Sequence, residues 1–288
     1  MKVSPRPAPG FFVVQGSGLE CPAGFKIIPV YSRGGVELEK IIDSGGFRSL
    51  VFEPWLKYPG LVQGVTVRPA AQAGGVTREA VAGRFRREGF RAAPRIKQVH
   101  GNRVVEASCL PAEEKVPEAD GVASAEAGVL GLLTVADCVP VFLLDPERRA
   151  WALVHAGWRG TVAGAIESGI ARLAGLTGSS LSAFEVYLGP AVCGTCYEVG
   201  PEVAEALGRV AAGAGIADEG GRITADLRAI LGARALALGI QPANLHISGY
   251  CTVCHNELFC SYRAEGKRAL RGMWAFLGWK NQPGPLNN

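Results

Sequence analysis

The sequence predicts an α/β (α+β) fold: a layered sandwich with a mixed β-sheet, in a single main domain. Short apolar runs alternate unevenly with amphipathic segments, which favours a mixed sheet over a strictly parallel, doubly wound one. Paired apolar runs lie between residues 129 and 155, and no Gly-rich phosphate-loop pattern is present. A chain of 288 residues, 48% of them hydrophobic, is long enough to bury one large core.

The domain boundaries are expected near residues 60 and 280. Residues 1–60 contain short apolar runs separated by Gly and Pro, which predicts a β-rich extension packed on the main domain. Residues 61–280 are predicted to form the catalytic domain. Residues 281–288, NQPGPLNN, are expected to be a flexible tail.

The first elements of the main domain are two strands and a helix. Residues 61–68, LVQGVTVR, predict a strand. Thr77 can cap a helix that runs to about Glu88, because its hydroxyl oxygen can accept a backbone N–H of the first turn. Residues 94–100, PRIKQVH, predict a further strand with His100 at its end.

The central stretch, residues 129–161, brings polar groups to the ends of two predicted buried strands. Asp137 and Cys138 follow the first apolar run. His155 ends the second run, and Arg159 follows it closely. Side chains at strand ends can leave a sheet for a shared pocket, so this stretch is the candidate centre of the chemistry.

The remaining elements alternate helices with strands. Residues 162–176 predict an amphipathic helix whose N-terminal amides point back toward the central stretch. The other predicted elements are strands at 184–189, 244–250 and 271–279 and helices that start at Pro201 and at Thr224 or Asp226.

One candidate site is a metal centre formed by His100, Cys138 and His155. Imidazole nitrogen and thiolate sulfur are ligands that zinc prefers, and three protein ligands leave a fourth position open for water or substrate. The competing interpretations are three ordinary polar residues near loops, or a cysteine hydrolase in which Cys138 is the nucleophile and His155 its base. The second histidine, His100, favours the metal centre.

A second candidate is the pair of C-x-x-C sequences formed by Cys193 with Cys196 and Cys251 with Cys254. Such pairs predict a structural four-thiolate zinc site, and buried or free thiols are the alternative. No secretory leader or long apolar run is apparent, so we expect a cytoplasmic protein without membrane contact, whose eight cysteines are thiols or metal ligands.

The charge distribution is mild. A net charge of +4 is too small to indicate a nucleic-acid partner, but it is compatible with a phosphate-bearing small molecule. Arg159 and Arg263 are candidate phosphate ligands, because an arginine fork matches phosphate geometry. Ordinary surface ion pairs are the alternative for both residues.

Six segments, in this order, carry a family resemblance: KQVHGNRV, ADGVAS, TVADCVPV, VHAGWRGT, GPAVCGTCYEVG and CTVCHNELFCSYRAEG. They closely resemble the YfiH-type multicopper polyphenol oxidase (laccase) family, whose members are regarded as purine nucleoside phosphorylases. The resemblance covers roughly residues 61–278. It departs from the family between Arg68 and Thr77, where the family has a longer segment, and over the first 60 residues.

The resemblance implies a zinc ion bound by His100, Cys138 and His155. It also implies phosphorolysis of adenosine, inosine, guanosine and 5′-methylthioadenosine, so that purine nucleosides and phosphate are the small-molecule partners, and deamination of adenosine. The residues expected to take part in catalysis are Asp137, Arg159 and Gln98. Those expected to form the substrate-binding wall are Tyr197, Cys251, Ser261 and Arg263.

The older family name raises a second function class, copper-dependent oxidation of polyphenols. Genuine laccases hold several copper ions with many histidines, whereas this chain has four. One site with two nitrogens and a sulfur is all that these histidines allow, although copper can compete for it in vitro. A non-catalytic binding module stabilised by zinc is the remaining alternative.

Overall fold

The computed structural model describes residues 38–68, 76–92, 95–109, 116–211, 213–271 and 273–281. The strands of this part of the chain are β1 (Glu39–Asp43), β2 (Arg48–Phe52), β3 (Leu61–Thr66), β4 (Arg91–Ala92), β5 (Val104–Glu106), β6 (Gly121–Ser124), β7 (Val129–Thr134), β8 (Val139–Asp145), β9 (Ala150–Ala156), β10 (Glu185–Leu188), β11 (Ile216–Glu219), β12 (Arg222–Ala225), β13 (Leu245–Ile247) and β14 (Trp274–Trp279). Its helices are α1 (Arg78–Arg86), α2 (Trp158–Ala163), α3 (Ala165–Thr177), α4 (Pro201–Gly208), α5 (Leu227–Leu238) and α6 (Tyr262–Glu265).

The strands form two six-stranded mixed sheets and one small hairpin. The first sheet has the order β1-β2-β3-β14-β7-β4, and the second has the order β13-β10-β8-β9-β6-β5. Most neighbours are antiparallel, but β4 pairs parallel with β7, β10 with β13 and β5 with β6. Strands β11 and β12 form the separate hairpin.

The layers follow from where each sheet buries its side chains. The two sheets pack face to face over one apolar cluster that includes Phe52, Trp151 and Trp279. Helices α3 and α5 cover the outer face of the second sheet through a second cluster, and α1 covers the outer face of the first sheet through a third. The result is a helix–sheet–sheet–helix sandwich, so the predicted layered α/β fold is confirmed.

Strands β8 and β9 lie at the centre of the second sheet, and every residue of both is buried. Their faces alternate as the pleat requires: Val141 and Leu143 join the cluster under the helices, while Phe142 and Leu144 join the cluster between the sheets. A strand buried on both faces needs a continuous apolar run. This requirement explains why the central stretch has the most apolar sequence in the chain.

Two predicted elements differ from the structure. The strand expected at 94–100 is wrong, because among the described residues of that segment only Lys97 makes an isolated bridge, to Glu118. The single helix expected at 162–176 is divided into α2 and α3, because Gly164 adopts a left-handed conformation between them. Glycine reaches that conformation without steric cost.

The predicted extension falls partly on described residues. Strands β1 and β2 pair with each other, and β2 pairs with β3 in the first sheet. The strands expected at FFVVQ and FKIIPVY, and nearly all of the expected tail, lie outside the described residues. None of the described helices is long and apolar enough to cross a membrane.

Candidate active site

The candidate site lies at one end of the second sheet, where the chain crosses over from the first. Strand β7 belongs to the first sheet and β8 to the second, so residues 135–138 pass between the two layers. Cys138 immediately precedes β8, and His155 lies near the end of β9, where its partner in the antiparallel register is Pro140. These two side chains therefore lie at the same end of the second sheet.

The three predicted metal ligands converge. The ligand atoms of His100, Cys138 and His155 all lie within 4.8 Å of one another, and the two imidazole rings have centroids 4.9 Å apart. Gly157 leaves room for them, since a Cβ at that position would lie 2.8 Å from the Cys138 Sγ and 3.1 Å from the His100 Cδ2. A set of two imidazoles and one thiolate with space beside it fits an open zinc site.

Asp120 contacts two of the three candidate ligands, His100 and His155, although no sequence pattern indicates such a role. Its carboxylate is completely buried and accepts hydrogen bonds from the backbone amides of Val99 (3.1 Å), His100 (2.9 Å) and Gly101 (2.7 Å). It also lies 3.0 Å from the His155 Nδ1. This contact leaves the His155 Nε2 available to a metal, since a histidine that binds a metal through one ring nitrogen usually donates its other N–H to a carboxylate or carbonyl.

The electrostatics of the cluster favour a thiolate. Burial raises the pKa of the Cys138 thiol, but the neighbouring His155 and His100 outweigh burial and lower it to about 6. Burial lowers the pKa of His155, but Cys138 and Asp120 raise it to about 9. Metal binding at neutral pH would therefore displace a proton from His155, and metal affinity should decrease as the pH falls.

A pocket of about 600 Å³ opens over the cluster. Its lining includes all three candidate metal ligands and an aromatic and apolar wall that contains Trp158, Tyr197, Tyr262 and Met273. Burial raises the pKa of Tyr197 to about 12, so its hydroxyl keeps its proton at neutral pH and can donate a hydrogen bond. A volume of this size, with polar groups facing an aromatic and apolar wall, is typical of a small-molecule site.

Asp137 lines the pocket and binds the turn that contains Thr252 and the helix α6 that contains Arg263. Its Oδ1 accepts a 2.6 Å hydrogen bond from the Thr252 hydroxyl, and its Oδ2 accepts one of 2.6 Å from the Arg263 amide. Its backbone has a positive φ of 81°, a region that Asp tolerates better than most residues. Both carboxylate oxygens thus already have protein partners.

Two other predicted residues also line the pocket. The Gln98 side chain is fixed to the end of β7, because its amide donates to the Thr134 carbonyl at 2.9 Å and its carbonyl accepts from the Thr134 amide at 3.0 Å. The guanidinium group of Arg263 donates to the Glu198 carbonyl and lies 5.2 Å from the centre of the Tyr197 ring.

Three other predicted residues do not line the pocket. Arg159 is exposed, and its guanidinium lies 4.3 Å from the centre of the Trp158 ring. Ser261 is completely buried, and its hydroxyl caps α6 by accepting the Ala264 amide. Cys251 belongs to a second cluster, with the other three cysteines of the C-x-x-C pairs.

The remaining two of the four histidines lie away from the cluster. His246, on β13, packs against Phe52 with ring centroids 4.7 Å apart. His255 is buried beside the Cys251 backbone and Tyr250. Since all four histidines are among the described residues, they supply one two-histidine site and no multinuclear copper centre.

Known proteins resemble this chain in sequence and in fold. A protein of Deinococcus radiodurans named purine nucleoside phosphorylase is 34% identical over 190 residues, which cover 66% of this chain and 71% of the relative. A protein named adenosine deaminase RL5, from an unknown prokaryotic organism, is 36% identical over 144 residues, which cover 48% and 53%. The crystal structure of YlmD from Geobacillus stearothermophilus superposes with a TM-score of 0.70 at 26% identity and covers 85% of this chain and 100% of that one.

The family assignment rests on most of the chain. The family model described as multi-copper polyphenol oxidoreductase laccase matches residues 64–280, a range that contains every residue of the candidate site. The chain therefore belongs to the multi-copper polyphenol oxidoreductase laccase family.

Proposed function

We propose that the protein is a zinc-dependent purine nucleoside phosphorylase that also deaminates adenosine. The observation that carries this proposal is the convergence of His100, Cys138 and His155 on the floor of an aromatic pocket of about 600 Å³. The relatives named for purine nucleoside phosphorylase and adenosine deaminase support the substrate class. Adenosine, inosine, guanosine and 5′-methylthioadenosine are the proposed substrates, and the cytoplasm is the proposed location.

In this proposal His100, Cys138 and His155 would hold one zinc ion beside the pocket. When bound, the ion supplies a Lewis acid that stabilises developing negative charge and activates a water molecule. The residues around it have separate tasks. Asp120 fixes the orientation of His155 through Nδ1, and Gly157 keeps the space beside Cys138 open.

The pocket wall suits a purine nucleoside and phosphate together. Trp158, Tyr197 and Tyr262 offer ring faces on which a purine can stack. Arg263 is the arginine that lines the pocket, so we place phosphate beside its guanidinium group. The exposed Arg159 is a weaker candidate, and the six-residue helix α2 that contains it is too short to add a strong dipole.

Replacing Arg263 by alanine is expected to raise the KM for phosphate about 10-fold or more, because a charge-assisted hydrogen bond contributes about 1.5–3 kcal/mol. The KM for the nucleoside should change less. Arg159→Ala provides the comparison, since both arginines lie over an aromatic ring but only Arg263 lines the pocket. Steady-state kinetics with varied phosphate would contradict this placement if Arg159→Ala gave the larger effect.

The function itself is tested by chromatography of reactions with inosine and adenosine. We expect hypoxanthine and ribose 1-phosphate from inosine only when phosphate is present, and inosine from adenosine in its absence. Chelation should abolish both reactions, and added zinc should restore them. If zinc-loaded protein released no base from any purine nucleoside in phosphate, the proposal would be wrong.

A copper-dependent phenol oxidase is the rival function, and the family description favours it. It predicts oxygen consumption with a phenolic substrate that increases with bound copper and persists after unbound copper is removed. The single two-histidine site weighs against it, because the other histidines, His246 and His255, lie elsewhere in the fold. The same preparation, loaded with copper and with zinc in parallel, distinguishes the two functions.

A further inference from the structure

A second group of metal-ligating side chains lies outside the candidate active site. Cys193 and Cys196 lie between β10 and α4, and Cys251 and Cys254 follow β13. Although 54 residues separate the two C-x-x-C sequences, their four Sγ atoms all lie within 4.8 Å of one another. The Cys196 and Cys254 Sγ atoms are 3.5 Å apart.

These distances suit tetrahedral coordination. Four thiolates that each bind zinc at about 2.3 Å are separated from one another by about 3.8 Å. The observed separations, 3.5 Å for Cys196 and Cys254 and at most 4.8 Å for the set, lie on either side of this value, so only small shifts would be needed around an ion. No disulfide joins any of these four residues.

The backbone holds the two C-x-x-C turns against each other. Ala191 and Cys251 form an isolated parallel bridge, and the Thr252 amide donates to the Ala191 carbonyl at 3.1 Å. In the first turn, the Cys196 amide donates to the Cys193 carbonyl at 3.0 Å. The two turns are thus fixed in register by contacts that do not involve the sulfur atoms.

The sulfur of Cys251 also receives backbone hydrogen bonds. The amides of Cys193 and Cys254 lie 3.3 Å and 3.5 Å from its Sγ. Amide donors directed at a sulfur stabilise the thiolate form and occur in the outer shell of thiolate metal sites. Cys251 is buried, whereas the other three cysteines are only partly buried, so simple apolar packing does not explain why all four sulfurs meet.

We propose that Cys193, Cys196, Cys251 and Cys254 bind a structural zinc ion, separate from the metal of the pocket. Four protein thiolates close its coordination, so no position remains for water or substrate. Zinc suits this set because it favours thiolates and a tetrahedral geometry.

This ion would hold together two loops beside the pocket, one before Tyr197 and one that contains Thr252. Tyr197, which lines the pocket, directly follows Cys196. Thr252 directly follows Cys251, and its hydroxyl binds Asp137 next to Cys138. The zinc therefore stabilises the shape of the pocket without taking part in the reaction.

The test uses full-length Cys138→Ser protein, in which the pocket site is disabled and the four cysteines are intact. Metal-free protein is titrated with Co²⁺ and then with Zn²⁺ under anaerobic conditions. We expect one equivalent per chain, the visible spectrum of tetrahedral cobalt thiolate, and four sulfur neighbours at about 2.3 Å from zinc by X-ray absorption. Failure to bind one tight equivalent, or a nitrogen- or oxygen-rich shell, would overturn the proposal.

Matched cysteine variants complete the experiment. Wild-type protein and Cys260→Ala should each hold two zinc ions per chain, because Cys260 is buried outside both clusters. The double variant Cys193→Ser, Cys254→Ser should hold one. Retention of two zinc ions by a folded double variant, or a disulfide among the four cysteines in anaerobically purified protein, would contradict the proposal. If the double variant does not fold, the Cys138→Ser titration still decides.

Discussion

Replacing Asp120 by alanine is expected to lower the affinity of the pocket for zinc about 100-fold and to remove most activity at limiting metal. Loss of a group that hydrogen-bonds a metal-binding histidine typically reduces metal affinity by about 10–100-fold. We expect the upper end of that range because Asp120 binds both the His155 Nδ1 and the amide of His100 itself. One substitution thus frees two of the three ligands.

The same substitution should also destabilise the fold. Asp120 is completely buried, and its removal leaves the amides of Val99 and Gly101 without their acceptor. Each donor that stays buried and unpaired costs about 1–3 kcal/mol. Asp120→Asn should have an intermediate effect, because its single carbonyl oxygen replaces only part of the carboxylate.

Asp145→Ala is the matched control for Asp120→Ala. Asp145 is also a completely buried aspartate, but it is the last residue of β8, at the end of the strand away from Cys138. Its carboxylate accepts a hydrogen bond from the Arg148 amide. Zinc affinity is measured by competition with a chromophoric chelator, and stability by urea denaturation. If Asp145→Ala weakened zinc binding as much as Asp120→Ala does, the effect would come from general destabilisation and the proposed role of Asp120 would be wrong.

The positions of Cys138 and His155 near the ends of apolar runs indicate a shared site, whereas spacing alone does not show that these two residues and His100 meet. Cys138 immediately precedes β8 and His155 lies one residue before the end of β9, so the antiparallel pairing of these strands brings both side chains to one end of the sheet. His100 was assigned to the end of a strand and lies instead in a turn with a φ of 61°. Its placement depends on Asp120, a tertiary contact across 20 residues that no local pattern predicts.

The pocket wall was harder to predict because local hydrogen bonds determine which way a side chain points. Ser261 is next to residues that line the pocket, yet its hydroxyl caps α6 and stays buried. Arg159 is one residue from Trp158, yet it turns to solvent over the Trp158 ring. The Ser-x-x-Ala spacing at the start of α6 is compatible with a cap, but only the helix boundary identifies Ser261 as one.

Asp137 is expected to take part in catalysis, and two substitutions distinguish a proton-transfer role from a positioning role. Asp137→Ala should reduce kcat about 100-fold, because the Thr252 hydroxyl and the Arg263 amide lose their common acceptor. The contacts that hold Thr252 and α6 beside Cys138 are then lost, and a displacement of about 1 Å at a reacting group can cost this much. Alanine also tolerates the positive φ at this position less well than aspartate does.

Asp137→Asn should keep activity within about 10-fold of wild type if Asp137 acts by positioning. An asparagine can accept the Arg263 amide with its carbonyl oxygen and donate its amide to the Thr252 hydroxyl, so both contacts persist with the charge removed. Asparagine also tolerates the left-handed backbone at this position.

If the carboxylate instead transfers a proton, Asp137→Asn should lose about 10²–10⁴-fold in kcat and the pH dependence of kcat should lose its acidic limb. We expect Asp137→Asn to stay within about 10-fold of wild type, because each carboxylate oxygen of Asp137 already accepts a 2.6 Å hydrogen bond from the protein. A pH profile of both variants at saturating zinc decides between the two roles.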